Sequence, residues 1–337
     1  MVATERLPAT GEHPLIIRTV ARALVALGLV LAAVGAAAAQ PFPTKPIRLI
    51  VPVAAGGPLD TLARLTADKM SAKLGQPVIV ENRPGGGMSI GARAVAFAEP
   101  DGYTLLWASS STLCVLPLLY ARLDFDPAAF VPVAEIATLP HFLVVAARIP
   151  ARTAQDFAAY ARQNPGKLNY GASLGTSSHL MGAAFARMSG ADITFVPYKG
   201  AAPTITDLLG GQTHFTVETL MVLKSLIDEG RLRALGVSSV TRWPGTPDVP
   251  TMAEAGFAGF PGDSFNGIVA PPGTPAVIVE RLNAAVNDGM RGDDVKAKMN
   301  QLVVFPRCGS PADFAAHIAE QRPVWAEMVK TAGVRID

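Results

Sequence analysis

The sequence predicts an α/β fold with more than one domain. Its 337 residues exceed the length of one ordinary hydrophobic core, and half of them are hydrophobic, so a large packed interior is expected. Short β-rich segments alternate with segments of helical periodicity along most of the chain. This alternation is typical of an open sheet whose strands are mostly parallel.

The elements follow from period-2 and period-3.6 hydrophobic patterns and from their stop signals. Gly75, for example, stands directly after a helical pattern, where a left-handed residue commonly ends a helix. The predicted strands lie at 47–53, 78–80, 103–107, 168–170, 194–197, 214–218 and 232–237, with further strands near 142–146 and 266–270. The predicted helices lie at 59–74, 89–98, 157–163, 179–188, 202–209, 223–229, 275–289, 294–301 and 311–333.

The composition excludes several function classes. Lys plus Arg is 29 and Asp plus Glu is 27, and no basic run occurs, so binding to nucleic acid by phosphate neutralisation is not expected. The five histidines are scattered, and two cysteines cannot form a metal cluster, so neither a metal nor a cofactor is expected. The sequence leaves open whether Cys114 and Cys308 form a disulfide.

Residues 1–39 are typical of a secretory signal peptide. Arg6, Arg18 and Arg22 precede an uncharged run at 23–39, which ends in Ala37-Ala38-Ala39 before Gln40. The alternative is a membrane anchor, but the run is shorter than the ~20 residues that a spanning helix needs. The sequence therefore predicts an exported protein whose mature chain begins near residue 40.

Two glycine-rich loops are the candidate binding segments. Residues 52–60 read Pro-Val-Ala-Ala-Gly-Gly-Pro-Leu-Asp, and residues 170–178 read Tyr-Gly-Ala-Ser-Leu-Gly-Thr-Ser-Ser. Each loop leaves a predicted strand and opens a predicted helix, where unpaired N–H groups attract an anion such as a carboxylate or phosphate. Ordinary turn and cap chemistry is the alternative for either loop alone. Two such loops in separate halves of the chain favour a ligand held between two domains.

An enzymatic alternative begins from Ser173. Residues 171–175 match the G-x-S-x-G nucleophile elbow, and a later acid (Asp207, Asp228 or Asp263) and His317 follow in the required order. No oxyanion segment precedes the motif, however, and His317 lies in a helical pattern. A serine hydrolase is therefore only a minor alternative.

A series of motifs then identifies a family. The motifs are Phe-Pro-Thr-Lys-Pro-Ile at 42–47, Pro-Val-Ala-Ala-Gly-Gly at 52–57 with Asp60, Glu-Asn-Arg-Pro-Gly at 81–85, Pro-Asp-Gly-Tyr-Thr-Leu at 100–105, Val-Pro-Tyr-Lys-Gly at 196–200, Asp-Leu-Leu-Gly-Gly-Gln at 207–212 and Ala-Pro-Pro-Gly-Thr-Pro at 270–275. In this order, over nearly the whole mature chain, they resemble the Bug (TctC-like) substrate-binding receptors of tripartite tricarboxylate transporters.

The resemblance implies a two-lobed periplasmic-binding-protein fold, type II-like, with a ligand cleft between the lobes. Lobe 1 would comprise residues 40–142 and 264–337, and lobe 2 residues 143–263. It also implies a periplasmic, non-enzymatic receptor for a small carboxylate. The ligand-binding residues that it implies are Ala55, Gly56, Gly57, Asp60, Ser173, Gly175, Thr176, Ser177, Ser178 and Glu218.

The family pattern leaves the ligand and its destination open. Glu218 stands where relatives usually carry aspartate, and Leu174 interrupts the polar second loop, so a dicarboxylate, a tricarboxylate, an amino acid or an aromatic acid would each be compatible. The resemblance implies a monomer that delivers its ligand to membrane permease subunits. A sensor subunit of a membrane signalling protein is the alternative with the same binding chemistry.

Overall fold

The computed structural model describes residues 42–120, 122–260 and 262–333, whose strands form two separate sheets. Residues 1–39, the predicted signal peptide, lie outside the described residues. In the described part, no helix has the length and apolar character required to cross a membrane. The two sheets, each covered by helices, make a two-lobed α/β fold.

The first sheet has six strands in the order β11-β4-β10-β3-β1-β2. Its strands are β1 (Ile47–Val51), β2 (Val78–Asn82), β3 (Thr104–Ser109), β4 (Val131–Leu139), β10 (Ser264–Ala270) and β11 (Phe305–Pro306). The accompanying helices are α1 (Pro58–Leu74), α2 (Ser89–Ala96), α3 (Leu116–Leu119), α8 (Ala276–Met290), α9 (Asp293–Leu302) and α10 (Pro311–Ala332).

The second sheet has five strands in the order β7-β6-β8-β5-β9. Its strands are β5 (His141–Ala146), β6 (Leu168–Ser173), β7 (Ile193–Tyr198), β8 (Phe215–Thr219) and β9 (Leu232–Val237). Its helices are α4 (Ala154–Arg162), α5 (Ser177–Met188), α6 (Ala201–Gly210) and α7 (Leu220–Asp228).

The prediction that the strands are mostly parallel is wrong, because each sheet is mixed. Strands β2, β1 and β3 are parallel, whereas β10, β4 and β11 are joined by antiparallel pairing. The second sheet likewise has parallel β7, β6 and β8 beside antiparallel β5 and β9. The antiparallel members include the strands at which the chain passes from one sheet to the other. These strands enter without a crossover helix, so nothing forces them to be parallel.

The strand order places a topological switch point in each sheet. From β1 the chain passes through α1 to β2, and then returns to pair β3 on the opposite side of β1. From β6 it passes through α5 to β7, and then returns to pair β8 on the opposite side of β6. In open α/β sheets, ligands bind outside the carboxyl ends of the strands at such points. Both candidate loops begin there.

Local chemistry explains the two helices that the candidate loops open. Helix α1 has Gly57 as its N-cap and a proline at its first position, and it ends at Gly75 in the left-handed conformation, as the sequence predicts. Helix α5 has Thr176 as its N-cap, and the hydroxyl of Thr176 accepts a hydrogen bond from the N–H of His179.

The interior of the fold continues from one sheet to the other. One buried cluster contains Leu106 and Trp325 together with Phe157 and Phe215 of the second sheet's side. Helix α10 contacts both β4 and α5, so this last helix connects the two halves. The two cysteines are free: Cys114 is buried in this cluster, and Cys308 is exposed.

Candidate functional site

The first loop joins the end of β1 to α1 and exposes its backbone. Ala54, Ala55 and Gly56 are exposed, and Gly57 is partly exposed. Gly56 has a φ of +85°, a left-handed conformation that side chains with a Cβ rarely adopt, whereas Gly57 has ordinary extended backbone angles. The glycine at position 56 is therefore required by the shape of the loop.

Asp60 organises the first loop from below. Its buried carboxylate accepts hydrogen bonds from the N–H of Gly56 at 2.8 Å, from Arg64 Nε at 2.9 Å and from Asn82 Nδ2 at 2.9 Å. Asn82 also donates to the carbonyl of Val53, so the loop is tied at both ends. Burial raises the pKa of Asp60, but these hydrogen bonds outweigh it and the pKa lies below its ordinary value.

The first loop keeps backbone N–H groups that no acceptor among the described residues takes. The Gly56 N–H is engaged by Asp60, but no acceptor within the described residues takes the N–H of Ala55 or that of Gly57. Exposed N–H donors in a loop before a helix are suited to an anionic oxygen.

The second loop joins the end of β6 to α5 and is held mostly by its own groups. The hydroxyl of Thr176 donates to the carbonyl of Ser173 at 2.7 Å, and the N–H of Gly175 donates to Nδ1 of His179 at 3.3 Å. The hydroxyl of Ser173 has no hydrogen-bond partner among the residues that the structure describes. Leu174 is exposed at the tip of this loop.

His179 is the acceptor that shapes this loop. The ring is buried and lies against Phe195, with 3.9 Å between the ring centroids, and against Tyr170. Burial lowers the pKa of His179 to about 4, so the ring is neutral near pH 7 and Nδ1 can accept the Gly175 N–H. Sequence reasoning did not single out this histidine as part of the site.

Ser177, Ser178 and Glu218 meet at the start of α5. Ser178 Oγ donates to Glu218 Oε1 at 2.7 Å, and Glu218 Oε2 accepts the N–H of Thr219 at 3.0 Å. All three predicted residues are buried. Burial raises the pKa of Glu218, and the two hydrogen bonds only partly offset this effect. This acidic group therefore stands at the end of β8, beside the second loop, without a basic partner among the described side chains.

A segment that sequence reasoning missed joins the two sheets. Residues 109–112 begin at the last residue of β3, read Ser-Ser-Ser-Thr and are buried. Ser111 accepts a hydrogen bond from the N–H of Ser177 at 3.1 Å, and the hydroxyls of these two serines also lie 3.1 Å apart. The run of four hydroxyl residues after a predicted strand was the available signal.

The structure does not assemble the hydrolase alternative. His317 Nδ1 lies 3.1 Å from Glu135 Oε2, and its ring packs on Phe265, so its contacts belong to the first sheet. No hydrogen bond between described residues joins it to Ser173.

An open depression of about 700 Å³, lined by residues that include Arg93, Tyr120 and Asp124, contains none of the predicted site residues.

No hydrogen bond or ion pair between described residues links the first loop directly to the second. Topology relates them instead: β1 and β3 are parallel neighbours, so the first loop and residues 109–112 share one sheet edge, and Ser111 reaches the second loop from there. The site residues thus lie at the two switch points of the sheets.

Comparison with known proteins identifies the family of this chain. The model of the tripartite tricarboxylate transporter family receptors (TctC) matches residues 62–334. The chain belongs to this family. The family resemblance that the sequence motifs predict is thereby confirmed, together with the periplasmic-binding-protein fold.

Curated relatives cover nearly the whole chain. The protein in the tcbD-tcbE intergenic region of Pseudomonas sp. (strain P51) is 38% identical over 308 residues, which are 90% of this chain and 91% of that protein. BugT of Bordetella pertussis is 33% identical over 324 residues, which are 94% of this chain and 98% of that protein.

Solved structures of family members superpose on this one. The periplasmic binding protein BugD has a TM-score of 0.80 at 34% identity and covers 87% of this chain and 99% of its own. Rpa4515 of R. palustris, solved with adipate, has a TM-score of 0.82 at 38% identity, covering 87% of this chain and 99% of its own. MatC (Rpa3494) of Rhodopseudomonas palustris, solved with malate, has a TM-score of 0.80 at 32% identity, covering 86% and 100%. These neighbours are binding proteins, and this receptor family is periplasmic.

Proposed function

We propose that this protein is a periplasmic solute-binding receptor that captures a small carboxylate between its two lobes and carries out no catalysis. The observation that carries the proposal is the family match over residues 62–334, within a family whose solved members include structures with adipate and malate. The signal peptide at 1–39, the monomeric state and delivery to the permease subunits of a tripartite tricarboxylate transporter belong to the same proposal.

The proposed lobes follow the sheets, except that His141 and Phe142 of β5 fall within the range given for lobe 1. Lobe 1 comprises residues 40–142 and 264–337, and lobe 2 comprises residues 143–263. The strand memberships support this division, since β4 ends at Leu139 in the first sheet and β5 begins at His141 in the second, while β9 ends at Val237 and β10 begins at Ser264.

The proposed carboxylate contacts are the donors that the protein leaves unused. In the first loop these donors include the N–H groups of Ala55 and Gly57, and in the second they include the hydroxyl of Ser173. A carboxylate bound by both loops would contact both lobes at once, which favours a closed arrangement over an open one.

The other predicted site residues have structural partners that define their roles. Asp60 and Gly56 hold the first loop, while Gly175, Thr176 and Ser177 hold the second. Ser178 and Glu218 form the polar wall at the end of β8. We propose that this wall faces the part of the ligand away from the gripped carboxylate, where Glu218 would select a hydrogen-bond donor.

A thermal-shift screen tests the proposal. The purified protein is partly unfolded and refolded to remove any co-purified ligand. It is then titrated with succinate, malate, glutarate, adipate, glutamate and benzoate, with the matching amides as controls. A ligand at 100 times its dissociation constant stabilises a protein by about 2.7 kcal/mol, which raises the melting temperature by a few degrees. Stabilisation by one class of acid and none by its amides is the expected result.

A variant locates the binding in the first loop. Gly56→Val forces a β-branched side chain into a left-handed conformation and should abolish the shift, whereas Gly57→Ala keeps the loop's angles and its N–H. If Gly56→Val binds the same acid as strongly as the wild type, the backbone-grip account is wrong. Silence from every acid, with ester turnover that is lost in Ser173→Ala, would favour the hydrolase instead.

A further inference from the structure

Four consecutive hydroxyl residues begin at Ser109, the last residue of β3, at the switch point of the first sheet. The side chains at positions 109–112 are all buried, with Ser110 and Thr112 fully so. In the second sheet, the loop after β6 and the end of β8 flank the equivalent switch point. Residues 109–112 occupy the corresponding place in the first sheet, beside the loop after β1.

The four hydroxyls divide into two pairs with different directions. Ser109 and Thr112 lie 3.3 Å apart, and both approach the sulfur of Met88, so this pair belongs to the interior of the first sheet's side. The hydroxyls of Ser110 and Ser111 lie 3.4 Å and 3.1 Å from that of Ser177, which is the first residue of α5.

The backbone of this segment has an unusual conformation. Residues Ser111–Val115 form a single π-helical turn with every residue buried. Such turns are rare in proteins, and those that occur often lie at functional sites. The turn presents the Ser111 hydroxyl to α5, where it accepts the N–H of Ser177 at 3.1 Å.

We propose that Ser111 is a positioning residue of the ligand site: its hydroxyl holds the amino end of α5, and with it the second loop, against the first sheet. The inference rests on the proposed function, because the second loop is a ligand contact only in that proposal. Two side chains then fix this loop from opposite sides. His179, which lies in the second lobe, accepts a hydrogen bond from the N–H of Gly175. Ser111, which lies in the first lobe, accepts one from the N–H of Ser177.

The arrangement has a consequence for affinity. A hydrogen bond between the lobes stabilises the arrangement in which the two lobes lie together. The bond from Ser177 to Ser111 would therefore stabilise the ligand-bound arrangement without contacting the ligand itself. Loss of the Ser111 hydroxyl should therefore weaken binding about fivefold, the equivalent of one net hydrogen bond.

Backbone amide exchange and affinity together test the role of Ser111. Exchange at residues 173–179 and the dissociation constants for the panel of acids named above are measured for the wild type and for Ser111→Ala. Ser111→Cys, a close isostere with a weak acceptor, serves as a second variant if the alanine protein folds poorly. Ser189→Ala is the matched control, because Ser189 is also buried but its hydroxyl has only local partners: it donates to the carbonyl of Ala186 and accepts the N–H of Ala191.

The expected result is faster exchange at Ser177 and an affinity about fivefold lower in both Ser111 variants, with neither change in Ser189→Ala. Unchanged exchange at Ser177 overturns the inference, whatever the acids do. Faster exchange with unchanged affinity also overturns it, since the hydroxyl would then hold the helix without serving the site. If the wild type binds none of the acids, the proposed function fails, and the exchange measurement still decides whether Ser111 holds α5.

Discussion

Ser178 donates a 2.7 Å hydrogen bond to Glu218, although the two residues are 40 positions apart and lie on different elements. Glu218 also accepts a hydrogen bond from the N–H of Thr219, but no neighbouring positive charge contributes to the shift of its pKa. Burial raises the pKa of Glu218, and the two accepted hydrogen bonds, which favour the charged form, only partly offset this effect. Its ionisation is therefore linked to stability.

Glu218→Gln should become more stable relative to the wild type as pH rises. The folded pKa of Glu218 is raised, so the native state binds more protons than the unfolded state above about pH 4.5, and wild-type stability falls as pH rises through the folded pKa. Glutamine cannot ionise and escapes this loss. Urea unfolding at several pH values measures the difference. The exposed Glu229→Gln is the control, and a difference that does not change with pH would contradict the prediction.

Gly56→Ala should destabilise the protein more than Gly57→Ala. Space does not distinguish the two positions, since an added Cβ meets nothing within 4 Å at Gly56 and only the Ala54 carbonyl at 3.9 Å at Gly57. The backbone conformation distinguishes the two positions, because only Gly56 has a positive φ, and a non-glycine residue adopts that conformation at a cost of about 1 kcal/mol or more. Denaturant midpoints of the two variants provide the measurement, and equal midpoints would show that the loop relaxes.

Asp60→Asn should loosen the first loop and reduce stability by about 1–3 kcal/mol, because an amide group would leave buried donors imperfectly matched. Arg64→Gln removes only a half-exposed partner of the same carboxylate and should reduce stability less than Asp60→Asn. Chemical denaturation compares the two. If Arg64→Gln is as damaging as Asp60→Asn, the ion pair rather than the Gly56 hydrogen bond organises the loop.

His179 should make the protein acid-sensitive. Burial lowers its pKa to about 4 from 6.5, so below about pH 6.5 the unfolded state binds a proton that the native state excludes, and stability falls as pH decreases toward 4. The loss is a few kcal/mol, since one pKa unit is worth about 1.4 kcal/mol. His179→Phe retains the ring stack and should flatten this slope between pH 6.5 and 4. An unchanged slope would assign the acid sensitivity to another group, such as buried His141.

The predicted elements agree well with the structure wherever local patterns define them. The strand at 232–237 is observed with the predicted bounds as β9, and the helix that ends before Gly75 has its predicted left-handed cap. The sequence did not yield β4, whose buried residues lack a clear alternation because both of its faces are covered. The antiparallel strand pairs were also missed, because the relative direction of two neighbouring strands cannot be read from the residues of either strand alone.

The candidate site shows the same division. Gly56, Thr176 and the two loops could be found from composition, because turns and helix starts need particular residues at particular positions. Three hydrogen bonds could not be found in this way, because each depends on the direction in which a side chain points. They run from the N–H groups of Gly56, Gly175 and Ser177 to Asp60, His179 and Ser111, respectively.

The sequence by itself determined the family, the alternation of strands and helices, and the two loops that open α1 and α5. These follow from interactions between residues that are close along the chain, such as caps, turns and periodic apolar faces. The tertiary structure decided which donors of those loops remain available and which segment of the first sheet holds the second loop. Ser111 and Ser177 are 66 positions apart, and only the packing of two sheets brings a hydroxyl from one to the helix start of the other.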